Sequence, residues 1–283
     1  MALKPIDLKW ALTAHLPPLD FILPGMLPGS LGLLVAPGAT GKSSLALDIA
    51  ASIALGRPTA GGLFPAGPTG KVIVLAGEES ERMLAERIRS LLSLDQQAAP
   101  ALYQNLLLLP MAGESCTLLE EGQTTPIYNE LMSISQGARL IIVDPVRRMH
   151  SGDENNSSDM TRFVIAMEQL AKSTGAAVLG IHHTNRASAS DVSSQNAARG
   201  SSALVDGARW QLNLSRMDEK SADALKISEA ERPMYVAVDF AKTNYLAPRG
   251  RCWLKRQPGG RLLLSTFNPC KPKAKSFGGA RTL

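Results

Sequence analysis

The stretch LGLLVAPGATGKSSLALDIA, residues 31–50, decides the fold because its apolar pattern changes within a few residues. An uninterrupted apolar run predicts a buried strand that ends before Pro37 and Gly38, two residues that favour a turn. Apolar residues at helical spacing begin directly after Ser43 and predict a helix. The stretch is therefore predicted to fold as a strand, a tight loop and a helix.

Such a loop binds phosphate, because its backbone N–H groups and the helix N-terminus favour an anion at the same point. We expect Lys42 to reach the outer phosphates and the Ser43 hydroxyl to hold a magnesium ion. The fingerprint of this loop is G-x-x-x-x-G-K-[ST], and the match is incomplete because Ala36 occupies its first position. The alternative is a glycine-rich turn with an exposed lysine. The residues predicted to bind nucleotide here are Pro37, Gly38, Ala39, Thr40, Gly41, Lys42, Ser43 and Ser44.

The composition describes a globular chain of 283 residues, 45% hydrophobic and 19% charged, which is enough for one large core. No apolar run approaches the ~20 residues needed to cross a bilayer, and the first residues lack the apolar segment of a secretory signal. We therefore expect a cytoplasmic protein with no membrane partner. The net charge of +5 is compatible with a polyanionic partner but does not identify one.

Three parts of the chain differ in composition. Residues 1–30 are rich in proline and are predicted to form an N-terminal arm that packs on the domain or on a neighbouring subunit. Residues 31–266 contain no evident linker and are predicted to form a single ATPase domain. Residues 267–283 contain basic residues and no acid, which predicts a flexible basic tail.

Within this domain, apolar strand candidates alternate with helix candidates, which predicts an α/β fold with a mostly parallel sheet covered by helices on both faces. The strand candidates after the first are residues 71–77, 103–110, 139–145 and 176–183, and the main helix candidates are residues 81–94 and 159–175. Beyond residue 208, four strand candidates with shorter links predict an antiparallel extension of the sheet near the C-terminus.

Residues with suitable chemistry follow the predicted strands, and parallel sheets bind ligands at the carboxyl ends of their strands. Asp144 closes the apolar run LIIVD and is predicted to position magnesium through water. Glu78 follows the second strand, which we expect beside the phosphate-loop strand, and is predicted to deprotonate the attacking water. The alternative is that Glu78 is an exposed acid near the next helix, a role that Glu79 or Glu81 would fill better. His183 or His182 is predicted to contact the terminal phosphate, and the alternative is a structural histidine.

The ordered segments APGATGKSSLAL, VLAGEES, LIIVDPVRRMH, LGIHHTN, ARGSSALVDGARW and AKTNY resemble the hexameric replicative helicases of the RepA family, which broad-host-range plasmids encode. The resemblance covers roughly residues 5–256. It implies a RecA-like P-loop NTPase core similar to the ATPase domain of the DnaB helicase. It also implies ATP and Mg²⁺ as ligands, a bacterial cytoplasmic location, a homo-hexameric ring and single-stranded DNA as a partner.

The resemblance also implies roles for individual residues. Glu78 matches the catalytic glutamate, Asp144 the Walker B aspartate, and His183 or His182 the phosphate-sensing histidine. Arg209 matches the arginine finger that a neighbouring subunit supplies. Arg199 and Lys242 are rival candidates for that finger, because the chain lacks the K-x-R pair that DnaB-type proteins carry near Lys242.

Two polar stretches, residues 150–159 and 186–202, leave the nucleotide-bearing edge of the predicted sheet. In RecA-like rings such loops line the channel and grip single-stranded DNA, although surface flexibility explains their composition equally well. The nearest cations are Arg147, Arg148 and Arg186. Because no primase-like segment is evident, replication initiator or primase proteins are potential partners. Two other functions remain open: a RecA-like ATPase in recombination or regulation, and a nucleotide-dependent assembly protein that does not unwind DNA.

Overall fold

The computed structural model describes residues 3–92, 99–184, 197–198, 200–247 and 249–267. The strands are β1 (Leu31–Ala36), β2 (Val72–Ala76), β3 (Leu106–Pro110), β4 (Leu119–Glu120), β5 (Gln123–Thr124), β6 (Leu140–Asp144), β7 (Ala177–His183), β8 (Trp210–Arg216), β9 (Tyr235–Thr243), β10 (Cys252–Arg256) and β11 (Leu262–Leu264). The α-helices are α1 (Leu8–Thr13), α2 (Lys42–Leu55), α3 (Glu81–Leu92), α4 (Ala99–Asn105), α5 (Pro126–Ile134), α6 (Ser157–Thr174), α7 (Ser202–Gly207) and α8 (Glu219–Leu225). Within these ranges, none of the helices has the length and apolar character needed to cross a membrane.

Nine strands form one sheet in the order β11-β10-β9-β8-β1-β7-β6-β2-β3. The six strands from β8 to β3 in this order pair in parallel, and β9, β10 and β11 continue the sheet by antiparallel pairing. The predicted mostly parallel sheet with an antiparallel extension is therefore present. The extension begins one strand later than expected, because β8 lies parallel to β1 and belongs to the parallel part.

Helices cover both faces of the sheet and divide the core into two clusters. Helices α2, α3 and α4 pack on one face, where residues 177, 179 and 181 of β7 meet them. Helices α5, α6 and α7 pack on the other face, which residue 178 of the same strand joins. This alternation follows from the two-residue period of a strand, and it fixes which functional side chains can reach α2.

Two predicted boundaries need correction. The strand predicted from Tyr103 begins at Leu106, because residues 99–105 form α4 and bury Leu102 in the core. The apolar run LLLLP alone pairs with β2. The helix predicted over 159–175 begins at Ser157, where the Asn156 side chain accepts two backbone N–H groups, and Gly175 caps its end in the left-handed conformation as predicted.

The predicted N-terminal arm has an exposed part and a buried part. Helix α1 buries none of its residues, and several large apolar side chains before residue 20 are exposed. Asp20 then forms a bidentate ion pair with Arg139, at 2.8 and 2.9 Å. Ile22, Leu23 and Met26 are buried in the core of the domain. The end of the arm is thus part of the domain, whereas residues 3–19 leave apolar surface uncovered.

Gly180 on β7 allows the turn after Asp144 to pack closely on the sheet. A Cβ atom at this position would lie 2.9 Å from Val146 Cγ2 and 3.3 Å from Leu33 Cδ2. We therefore expect Gly180→Ala to lower the free energy of unfolding by about 1–3 kcal/mol through overpacking. Chemical denaturation measures this change. Gly67→Ala is the matched control, because no atom lies within 4 Å of its Cβ position. A Gly180→Ala protein as stable as the control would contradict the close packing.

Candidate nucleotide-binding site

The loop between β1 and α2 presents backbone donors at a helix N-terminus. Gly41 is the N-cap of α2 with φ +107°, and no side chain caps the helix, so the first N–H groups of α2 are open to a ligand. Ala39 also has a positive φ, +58°. Ala36 is fully buried within β1 and pairs with His183. Its position needs no glycine conformation, and the departure from the loop fingerprint is therefore harmless to the loop geometry.

Lys42 is the first residue of α2 and is buried. Its Nζ lies 3.4 Å from the Pro37 carbonyl oxygen and 3.3 Å from His183 Nδ1. Burial lowers the pKa of Lys42, and the carboxylates of Asp144 and Glu78 act in the opposite direction. An ammonium held among a carbonyl, a histidine and two carboxylates is suited to meet the negative charge of a phosphate.

Asp144 and Ser43 meet on the same face of the sheet as Lys42. Burial raises the pKa of Asp144 to about 6, against the opposing effects of a hydrogen bond with the Ser43 side chain and the Lys42 ammonium. A hydroxyl and a carboxylate are oxygen ligands of the kind that Mg²⁺ prefers. These two residues therefore fit a magnesium ion held together with phosphate oxygens.

The two glutamates that follow β2 have different surroundings. Glu79 Oε1 accepts a hydrogen bond of 2.8 Å from Arg87, whose other terminal nitrogen donates to Ser44 Oγ at 3.1 Å. Glu78 lines the cleft above the phosphate loop. Its strand is not beside β1 as predicted, because β6 and β7 lie between β1 and β2. Glu78 reaches the cleft because it lies beyond the carboxyl end of β2, where the strand ends converge.

The two histidines of β7 point to opposite faces of the sheet, as the two-residue period of a strand requires. His183 faces α2, lines the cleft and contacts Lys42. His182 is buried on the other face, near His150. The structure therefore brings His183, and not His182, to the phosphate loop.

Arg209 lies far from the phosphate loop of its own chain. Its backbone N–H donates to the Leu31 carbonyl at the start of β1, at 2.8 Å, and its side chain is exposed. The loop follows Ala36 at the other end of that strand, roughly 16 Å away at the rise of an extended chain. Lys242 lies close to Arg209, and its Nζ donates to the carbonyls of Val205 at 2.9 Å and Asp206 at 3.3 Å. The third candidate for the finger, Arg199, lies outside the described residues.

Of the three arginines predicted near DNA, Arg147 and Arg148 lie within the described residues. Arg147 and Arg148 are exposed in the short 3₁₀ turn after Asp144 and donate to the carbonyls of His150 and Glu114, each at 3.3 Å. Arg186 and most of the second polar stretch lie outside the described residues. The end of the first polar stretch forms the start of α6. Contact between these arginines and DNA stays a prediction.

Two arginines that line the cleft escaped the sequence analysis. Arg87 on α3 and Arg256 on β10 contribute to a cleft of about 360 Å³ above the phosphate loop. Neither belongs to a local motif, and Arg256 comes from the antiparallel extension, more than two hundred residues after the loop. Helical spacing on α3 places Arg87 on the face toward the preceding glutamates, and this pattern could have identified it. The sequence contains no comparable pattern for Arg256.

Solved structures share this fold at low sequence identity. A solved ATPase domain matches with a TM-score of 0.56 and 14% identity, over 85% of this chain and 87% of its own. A DnaB-like replicative helicase, solved to describe its interactions with primase, matches with a TM-score of 0.55 and 14% identity, over 83% of this chain and 57% of its own. The RadB recombinase matches with a TM-score of 0.53 and 16% identity, over 84% of this chain and 93% of its own.

These similarities confirm the predicted RecA-like core with helices on both faces of the sheet. A family model described as an AAA domain matches residues 2–189, a segment that includes the phosphate loop, Glu78, Asp144 and His183. The matched segment ends before Arg209 and the antiparallel extension. Because it covers more than half of the chain, the protein belongs to the AAA domain family and is a RecA-like P-loop ATPase.

Proposed function

We propose that this protein is the ATP-driven motor of a ring-shaped replicative DNA helicase that moves along single-stranded DNA during plasmid or mobile-element replication. The observation that supports this proposal is the position of Arg209, which we take to be part of the site although it lies exposed at the end of β1 opposite the phosphate loop. The phosphate loop, Glu78 and His183 lie at one end, and the exposed Arg209 lies at the other. A complete site then needs the Arg209 of a neighbouring subunit, as in a homo-hexameric ring.

ATP is the substrate of the site in this proposal. The N–H groups of the loop and the Lys42 ammonium bind its phosphates, and Ser43 and Asp144 hold Mg²⁺. A magnesium ion held by these residues would supply positive charge beside the phosphate oxygens. Glu78 orients a water molecule and accepts its proton, which its position on the cleft allows. Arg87 neutralises the neighbouring Glu79 and keeps that carboxylate away from the water.

His183 links the phosphate site to the polymer-binding part of the molecule. Its Nδ1 contacts the Lys42 ammonium, so a terminal phosphate that draws Lys42 away changes the surroundings of the histidine. The chain leaves β7 directly after His183 and enters the second polar stretch. We propose that this stretch, with Arg147 and Arg148, grips the backbone of single-stranded DNA, and that hydrolysis moves the grip.

Assembly into a ring has a second support in the exposed apolar residues of the arm. Leu3, Ile6, Leu8, Trp10 and Leu12 are all at least half exposed, and apolar surface of this extent favours burial against another molecule. A neighbouring subunit is the partner that we propose. Replication initiator or primase proteins would load the ring and prime synthesis in the bacterial cytoplasm.

Two other functions use the same ATPase site and differ in the response to DNA. The similarity to the RadB recombinase favours a recombination or regulatory ATPase. Such a protein would hydrolyse ATP on single-stranded DNA without opening a forked duplex. A nucleotide-dependent assembly protein would show neither property. We expect single-stranded DNA to raise ATP turnover and ATP to drive the opening of a fork. Electron microscopy with ATP would show the ring.

Lys42→Ala should abolish most ATP hydrolysis and leave the fold intact, because the ammonium contacts polar groups at the cleft, the Pro37 carbonyl and His183. Steady-state phosphate release measures the loss, and circular dichroism checks the fold. Lys172→Ala, on the exposed face of α6, is the matched control and should keep normal turnover. Turnover near the normal rate in Lys42→Ala would overturn the assignment of the phosphate loop.

Glu78→Gln should bind ATP with normal affinity and hydrolyse it roughly 10²- to 10⁴-fold more slowly, because the amide keeps the shape of the carboxylate but cannot accept the proton. Single-turnover hydrolysis and nucleotide binding are measured separately. Glu79→Gln is the matched control and should retain most activity, since Glu79 pairs with Arg87. If the larger loss occurs in Glu79→Gln instead, the base is the second glutamate.

Arg209→Ala subunits should bind ATP and assemble but hydrolyse slowly, because the charge that develops in the transition state loses its partner. Mixing them with Lys42→Ala subunits tests whether Arg209 acts on a neighbour. Mixed rings contain some interfaces with an intact loop and an intact arginine, so turnover should exceed the sum of the two separate proteins. Subunit exchange without such recovery would show that Arg209 does not complete the site of a neighbour.

A further inference from the structure

Three successive carbonyl oxygens of the phosphate loop accept hydrogen bonds from arginines of the C-terminal part of the sheet. Arg216, the last residue of β8, donates to the Gly38 carbonyl at 3.3 Å. Arg256, the last residue of β10, donates through one terminal nitrogen to the carbonyls of Ala39 at 3.4 Å and Thr40 at 2.9 Å. Both arginines are therefore attached to the backbone of the loop.

The geometry of the peptide group relates these carbonyl contacts to the direction of the N–H groups in the phosphate loop. In a planar trans peptide, the C=O and the following N–H point in opposite directions. Carbonyls of Gly38, Ala39 and Thr40 that face the arginines therefore direct the N–H groups of Ala39, Thr40 and Gly41 to the opposite side. A cationic donor on the carbonyl also polarises the amide and strengthens the N–H as a donor.

We propose that Arg216 and Arg256 form an arginine brace, a pair of positioning residues that holds the phosphate loop with its N–H groups directed toward an anion. The brace acts through the loop backbone. The identity of the anion, a nucleoside di- or triphosphate, rests on the proposed function. It explains how Ala39 is kept at a φ of +58°, which costs energy for a residue with a Cβ.

The hairpin that carries Arg256 is itself fastened to the loop and to the chain that follows α2. Leu262 of β11 packs on Gly41, where a Cβ would lie 3.0 Å from Leu262 Cδ1. The backbone N–H of Leu264 donates to the Ala60 carbonyl at 2.7 Å. These contacts hold the hairpin, and with it the Arg256 guanidinium, against the loop, so the brace is part of the fold.

Nucleotide affinity tests the brace. Arg256→Ala should weaken ADP and ATP by the same factor, about tenfold, because the loop N–H groups contact phosphates that both nucleotides carry. Arg256→Lys, which keeps the charge but not the fork of donors, should lie in between. Lys255→Ala is the matched control on the same strand, since Lys255 points to Glu231 and Tyr235. A loss of affinity for ATP alone would overturn the proposal and place Arg256 on the terminal phosphate.

Amide hydrogen exchange without nucleotide tests the brace independently of the proposed function. The N–H groups of Ala39, Thr40 and Gly41 should exchange faster in Arg256→Ala, and faster still when Arg216→Ala is added, while α6 keeps its protection. Unchanged exchange in the loop, or an equal rise throughout the protein, would overturn the brace. If the unaltered protein binds no ATP, the proposed function fails, and the exchange result alone then decides for or against the brace.

Discussion

The parallel pairing of β1, β7, β6 and β2 is the constraint on which the rest of the structure depends. Parallel strands end at one edge of a sheet, and the register pairs Ala36 with His183 and Ala76 with Asp144. Residues that are far apart in the sequence therefore meet around one cleft. The helices on both faces supply the burial that a parallel sheet requires. The loop after β1 needs little more than this edge and a helix N-terminus to attract an anion.

The sequence was sufficient for the parallel core because its signals are local. Apolar runs and helical spacing predicted β1, β2, β6 and β7. The residues that close these strands gave the candidate site residues. Strand order is not a local property, and for this reason β2 was expected beside β1 although two strands separate them. The strand predicted from Tyr103 was too long for a similar reason, since only pairing with β2 decides where β3 begins.

The side of the sheet on which a residue lies also required the structure. The sequence offered two adjacent histidines without choosing between them, and it favoured Glu78 over Glu79 without placing either side chain. Strand alternation separates His183 from His182, and the ion pair with Arg87 separates Glu79 from Glu78. Arg216 and Arg256 could not be predicted at all, because their partners are backbone carbonyls in a distant loop, and such contacts leave no pattern in the sequence.

The two ends of β8 carry arginines with different surroundings. Arg216 contacts the phosphate loop of its own chain, while Arg209, directly before β8, lies exposed at the opposite end of the strand. If Arg209 completes the site of a neighbouring subunit, β8 connects the phosphate loop of its own subunit with the site of that neighbour. An open row of such subunits would always contain one phosphate loop without a partner, and closing the row into a ring would remove that vacancy. Ring closure would then complete the last ATPase site and could be detected as a gain in hydrolysis.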